Sequence, residues 1–450
     1  MQLFRPQTES TNSTTAPVRI GSRAQARAEW AAGWPVVITA LAGGCSIAAQ
    51  TYSLGVLMKP LGLYFGWSRE QVSFALTFSA LSTILIGPLV GSLADQFGTR
   101  NVARCGALLS ALGMCLVALS GPSITSWYAA WLFYAVMQVA NGPVVWASVV
   151  SRMFQANRGL ALGVALSGAG AGAMIYPPLT VWLLGHFGWR FVYVGLAALN
   201  LAVLGPLVFV ALPSRFNEVV PTSHTSAPRA ASLDGLPLKA ALRTTLFWRI
   251  AFLVLVIGIA ISSMSVHLAP LLTDHGLSAA RASSVLAAIG PAVIIGRLLG
   301  GALLDRIHAR WIAMVFLALS ACGTLLLVGF HGNYIHAAIS AITVGLASGI
   351  EGDMLAVMVA RYFGMRHFGV VYGAALSTFA CGYALAPPAA GFLFDRVGSY
   401  DPGLIGLGSA LLLAIAVAAT LGPYPDLGKT GGDKTGLHES VTLEEQPGGA

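Results

Sequence analysis

Arg297, Glu351 and Asp353 are the three formally charged residues that fall well inside long apolar stretches of this 450-residue chain. A charge at the middle of a bilayer costs about 2.5–3.5 kcal/mol even on a lenient insertion scale. Such groups must therefore face a wet cavity or one another. Arg297 precedes Asp305 by eight residues, and Asp353 precedes Arg361 by eight. At about 1.5 Å per residue, both sit roughly 12 Å in from the same end of their helices. A guanidinium presents a planar fork of donors matched to a carboxylate. Arg297 thus reads either as a clamp for an anionic substrate or as the permanent partner of one of the two acids. Glu351 and Asp353, two positions apart on a helix, point about 200° from each other. One of them faces the cavity, and that one is the candidate proton carrier, because burial and a nearby arginine set its proton affinity.

The elements that must position these groups are membrane-spanning helices. The chain is 56% hydrophobic and 9% charged, against roughly 25% charged in soluble proteins. Its charges are confined to islands between apolar runs near the length, about 20 residues, that an α-helix needs to cross the hydrocarbon core. Twelve such runs occur between positions 34 and 422. Alternating ten-residue strands, the signature of a membrane barrel, are absent.

The chain also contains itself twice. Gly91-Ser-Leu-Ala-Asp95-Gln-Phe-Gly-Thr-Arg100 returns as Gly301-Ala-Leu-Leu-Asp305-Arg-Ile-His-Ala-Arg310, an offset of 210 residues. At the same offset Asn141-Gly142 becomes Glu351-Gly352, Gly163 becomes Gly373, and Pro177-Pro178 becomes Pro387-Pro388. Echoes in register indicate two homologous halves. The expected organisation is a basic N-terminal segment (1–30), a six-helix bundle (31–212), a linker (213–247), a second bundle (248–422) and a flexible tail (423–450). Residues 1–18 are expected to be disordered. The piece from Arg19 to Trp34 reads as a basic interfacial helix or an unstructured flank.

The duplication places Asn141 where the second half has Glu351, so it could hydrogen-bond substrate from the facing side, with Gln138 one turn earlier. Polar residues in spanning helices also serve as helix–helix glue, and that alternative stays open for both. Tyr52 and Tyr383 could close the site with rings and hydroxyls, or simply pack. His267 reads as interfacial. Pro60 is expected to stop the first helix, and the two Pro-Pro pairs to break the fifth and eleventh spans. Ser68 and Gln71 form a capping box for the second. The tryptophans of the repeated Phe-Gly-Trp (Trp67, Trp189) are expected at headgroup level. Gly168 and Gly172 form a small-xxx-small pair for close backbone approach.

With the N-terminus inside, thirteen lysines and arginines fall on inner loops and five on outer ones. That bias predicts cytoplasmic termini, and it accounts for the net charge of +8 without nucleic acid. Five cysteines, odd in number, all lie within apolar runs and show no metal-ligand spacing. No phosphate-binding loop or hydrolase motif occurs. Neither an enzyme nor a cofactor is expected.

Twelve spans, two parallel halves and a Gly-xxx-Asp-xx-Gly-x-Arg loop after the second span resemble the major facilitator superfamily over about residues 30–422. The resemblance implies an all-α membrane fold and a gating role for the duplicated loops. Gly91, Asp95, Arg100, Gly301, Asp305 and Arg310 would act there, with Arg152 as a charge partner. Tyr52–Leu61, Arg152-Met-Phe154 with Arg158–Gly163, and Gly296-Arg297 look most like the bacterial monocarboxylate-porter branch, in which an arginine at the last site contacts substrate carboxylate. Tyr52 stands where animal members have lysine, and Val293 where they have aspartate. The resemblance implies a monomeric, proton-coupled carrier of a small organic anion in the bacterial inner membrane. A multidrug or neutral-solute carrier of the same fold is the alternative.

Overall fold

The computed structural model describes residues 23–212 and 235–425. The N-terminal segment expected to be disordered, most of the linker with Arg215 and Arg229, and most of the tail lie outside the described residues. The first half comprises α1 (Arg23–Phe65), α2 (Arg69–Phe97), α3 (Thr99–Ala118), α4 (Ile124–Val139), α5 (Pro143–Met153), α6 (Arg158–Leu166), α7 (Gly168–Phe187) and α8 (Trp189–Pro206), with a wider turn at Leu207–Ala211. The second half has a short α9 (Leu238–Ala241), then α10 (Thr245–Asp274), α11 (Ala279–Leu304), α12 (Ala309–Leu325), α13 (Tyr334–Phe363), α14 (Phe368–Val397) and α15 (Asp401–Ala419). Taking α4 with α5 and α6 with α7, eleven spans are long and apolar enough to cross a membrane, and α12 is a shorter twelfth. We call the side where the described chain begins and ends the linker face, and the opposite side the distal face.

Helix ends follow local chemistry. Ser68 caps α2 and Gln71 completes the capping box. Gly66 and Gly188 adopt positive φ in the two Phe-Gly-Trp turns, conformations that glycine alone reaches without strain. The tryptophans there turn inward onto protein instead of outward as anchors. Trp67 and Trp189 are buried, with Phe65 stacked on Trp67 and edge-on to Trp189.

Three expected breaks do not occur. α1 runs through Pro60 to Phe65, α7 through Pro177-Pro178, and α14 through Pro387-Pro388. In α14 the reason is visible. A proline leaves the carbonyl four residues earlier without its donor, here Tyr383 and Ala384. The Ser262 hydroxyl donates to the first at 2.7 Å and the Thr77 hydroxyl to the second at 2.8 Å. The basic piece near residue 30 is likewise no separate element, since Arg23 onward forms the first turns of α1.

The first half breaks elsewhere. Its fourth span is interrupted between α4 and α5 at Asn141-Gly142, where Pro143 opens the new helix. The Trp146 indole N–H donates to the Asn141 carbonyl at 3.0 Å. The matching span α13 runs unbroken past Glu351.

Glycines set the closest helix pairs. A Cβ at Gly168 or Gly172 would strike the α1 backbone, so the small-residue pair brings α7 onto α1. Across the halves, Gly170 and Gly290 face each other in the same way.

Candidate functional site

Arg297 is carried to its acids by four glycines. Gly296 and Gly300 on α11 and Gly345 and Gly349 on α13 lie where a methyl would collide with the facing helix. The two backbones therefore nearly touch. The Arg297 guanidinium acts on the charges of both Glu351 and Asp353, yet no ion pair within 4.0 Å joins them among the described residues. Arg297 Nε and one Glu351 carboxylate oxygen are buried without a partner. A permanent internal salt bridge is thus not what the structure contains. Glu351 also lies within electrostatic reach of Tyr52, Tyr372 and Tyr383, and Asp353 within reach of Tyr372. Tyr52 belongs to the first half and meets Ser265 across the divide. The Tyr383 hydroxyl is 3.4 Å from that of Thr51. Arg297, Glu351, Asp353, Tyr52 and Tyr383 are therefore gathered where the halves meet, and Tyr372 joins them unforeseen.

Asn141 and Gln138 stand apart from that group. Asn141 is 0% exposed, and its amide donates to Ser46 on α1 at 2.6 Å. Gln138 lines a cavity of about 50 Å³ with Gln50, Ser79, Thr83 and Gly87, and both atoms of its amide group are buried and unpartnered. At the offset of 210, Gly87 is the counterpart of Arg297. Where the second half holds charge, the first holds a small neutral pocket.

The halves are joined at mid-depth and toward the distal face. Asp274 at the end of α10 receives Lys59 at 3.0 Å and also Arg69. Arg69 donates to the Tyr400 hydroxyl and lies 3.6 Å over the Phe394 ring. Asp395 accepts from the backbone N–H groups of Arg69 and Glu70, capping α2 from the other half. Behind Tyr400, His267 is 4% exposed, with one ring nitrogen 3.0 Å from the Tyr400 hydroxyl and the other 2.8 Å from the Pro387 carbonyl. The interfacial reading of His267 is corrected: it is buried, held between the Tyr400 hydroxyl and the Pro387 carbonyl. Sequence reading missed this clasp altogether. The available signal was that Lys59, Arg69 and Asp274 share one end of their spans.

Toward the linker face the halves separate. Gly87, Gly91, Gly163, Gly301 and Gly373 would meet nothing if given a side chain. The duplicated loops act within their own halves here. Arg152 pairs with Asp95 at 3.3 Å. Arg100 and Arg104 donate to the Phe209 carbonyl that ends the sixth span, and Arg310 to that of Leu421 ending the twelfth. Asp305 is exposed, with no ion-pair partner among the described residues.

His308 lies just outside α12, stacked 3.9 Å from Tyr424, and its Nδ1 accepts from the Arg310 backbone N–H. Burial, and then the Arg310 guanidinium, hold this imidazole below its usual 6.5. A base depressed in the folded state favours folding less as it is forced to protonate, so stability should fall as pH drops below 6.5. The thermal midpoint is expected to decline between neutral and mildly acidic pH, and His308→Asn, which keeps a capping oxygen, to flatten that slope. Equal slopes in both proteins would contradict this.

A family model described as Major Facilitator Superfamily matches residues 40–387. The chain belongs to the Major Facilitator Superfamily. It is a multi-pass membrane transporter and not an enzyme. Among curated relatives of this superfamily chain, human monocarboxylate transporter 11 is 27% identical over 84% of this chain and 81% of its own. Monocarboxylate transporter 13 of Bos taurus is 24% identical over 86% and 89%. A solved bacterial homologue of the human lysosomal transporter Spinster, described as inward-facing and unoccupied, shares the major facilitator fold with a TM-score of 0.61. It is 16% identical, over 89% of this chain and 94% of that one.

Proposed function

We propose that this transporter carries a small organic anion of monocarboxylate type by alternating access, with a proton as the coupled ion. The observation that carries the reading is Arg297: a guanidinium deep in a span, near two carboxylates yet bonded to neither, with a buried N–H left over. Leaving such a donor unmade is expensive, and a visiting carboxylate would satisfy it. The names of the relatives, monocarboxylate transporters 11 and 13, point the same way. With one arginine against two acids, the site takes up an anion more readily when one acid holds a proton. Glu351, facing three tyrosines at the meeting of the halves, is the better placed carrier. The excess of basic residues on the linker face supports a cytoplasmic placement of that side. In that orientation the present state is closed outside and open inside.

Proteoliposome uptake tests both parts. A panel of short-chain monocarboxylates should be taken up faster when the compartment they enter is the more alkaline. Glu351→Gln or Asp353→Asn should remove that acceleration. Unchanged dependence on the gradient in both variants would remove the proton from the mechanism. No uptake of any carboxylate by the parent protein would remove the anion.

A further inference from the structure

A second cavity, with none of the Arg297 group in its walls, lies in the side of the second half. It measures about 480 Å³ and runs between α10, α14 and α15. Its walls are apolar: Ile259 and Met264 on α10, Leu385, Ala389 and Leu393 on α14, and Gly406 on α15. Leu385 is 58% exposed, although it sits mid-span where the surroundings are hydrocarbon. A side chain at Gly406 would meet nothing, so α14 and α15 stand apart there. His267 and Tyr400 line the cavity too, but they are hydrogen-bonded to each other.

From Cys381 to Phe394 the α14 wall spans fourteen residues, about 20 Å of helix. One leaflet of a bilayer's hydrocarbon core is about 15 Å deep. Leu385, Ala389 and Leu393 follow one another at helical spacing, and Arg396 continues the same face to the distal end. Its guanidinium rests 4.4 Å over the Phe392 ring and has no ion-pair partner among the described residues. An apolar slot about one leaflet deep and open to the side, with an unpaired cation one turn beyond its last lining residues on the same helix, matches the shape and charge of one lipid.

We propose that this crevice holds one acyl chain of an anionic phospholipid from the distal leaflet, with its phosphate at Arg396. The chain lies against the His267–Tyr400 pair, which in turn holds Arg69. The crevice is therefore a lipid site built onto the back of the clasp between the halves.

The test is native mass spectrometry of the full chain, purified in detergent and incubated with palmitoyl-oleoyl phosphatidylglycerol. The parent protein should retain one lipid per chain. Gly406→Leu, which fills the slot, should abolish retention, and Arg396→Gln should lower it about fivefold, as one surface cation's attraction for an anionic headgroup implies. Arg396 is exposed, so its replacement leaves folding intact even where Gly406→Leu does not fold. Equal lipid retention by the parent and by every folded variant overturns the proposal. So does a chain dimer that Gly406→Leu dissociates, which would give the slot to a second copy.

Discussion

Arg297→Lys is expected to lower monocarboxylate uptake about 10- to 150-fold, the range set by losing 1.5–3 kcal/mol of charge-assisted hydrogen bonding. Lysine keeps the charge but not the fork, and an ammonium is a compact point donor that cannot grip two carboxylate oxygens in one plane. The packing around Arg297 sharpens the expectation. The glycine contacts between α11 and α13 fix the height of the side chain relative to Glu351 and Asp353, so a shorter or rounder head cannot be repositioned by sliding the helices. Initial uptake rates in proteoliposomes measure the effect. Parent-like rates in Arg297→Ala would show that no carboxylate depends on the guanidinium.

Asp274→Asn is expected to shift the protein toward a state open at the distal face. Asp274 is the shared acceptor for Lys59 and Arg69, with side chains 20% exposed for Asp274 and 15% for Arg69. Removing the acid leaves two cations facing each other with no anion between them. Partial exposure and screening hold the effect to about 1–2 kcal/mol, a factor of about 5–30 in population. The reporter is Ala384→Cys in a chain stripped of its five native cysteines, because Ala384 is buried and its main-chain carbonyl still accepts from Thr77 across the seam. Its labelling by an impermeant maleimide added on the distal side should speed up by that factor. An unchanged rate would mean that the clasp does not hold the face shut.

Much of the fold could be read from the sequence because its signals are local or periodic. Apolar run length gives the spans, and an offset of 210 residues relates the Asp95 and Asp305 loops. The charged centre was legible for the same reason: an arginine in oil is conspicuous without any knowledge of its neighbours. The clasp was not. Lys59, Arg69, Asp274, Asp395 and Tyr400 are scattered along the chain, Arg69 and Tyr400 alone being 331 residues apart, and each taken alone is an ordinary charge or aromatic near a helix end. The proline pairs misled for a related reason. A helix survives a proline when a distant hydroxyl replaces the missing donor, and nothing near Pro387 or Pro388 in sequence announces Ser262 or Thr77. Asn141 shows the limit of the duplication argument. Equivalence to Glu351 fixes its place in the bundle, but the break before Pro143 turns its amide onto Ser46 instead of the meeting of the halves.

The bond from Thr77 to the Ala384 carbonyl has a consequence of its own. The carbonyl is free because Pro388 cannot serve it, and its donor belongs to the opposite half. Parting the two halves here would strand a main-chain oxygen in a greasy seam until water arrived. Part of what keeps this face shut is thus written into the peptide backbone of one helix. Unlike the carboxylate and its cations above it, that portion should be indifferent to ionic strength.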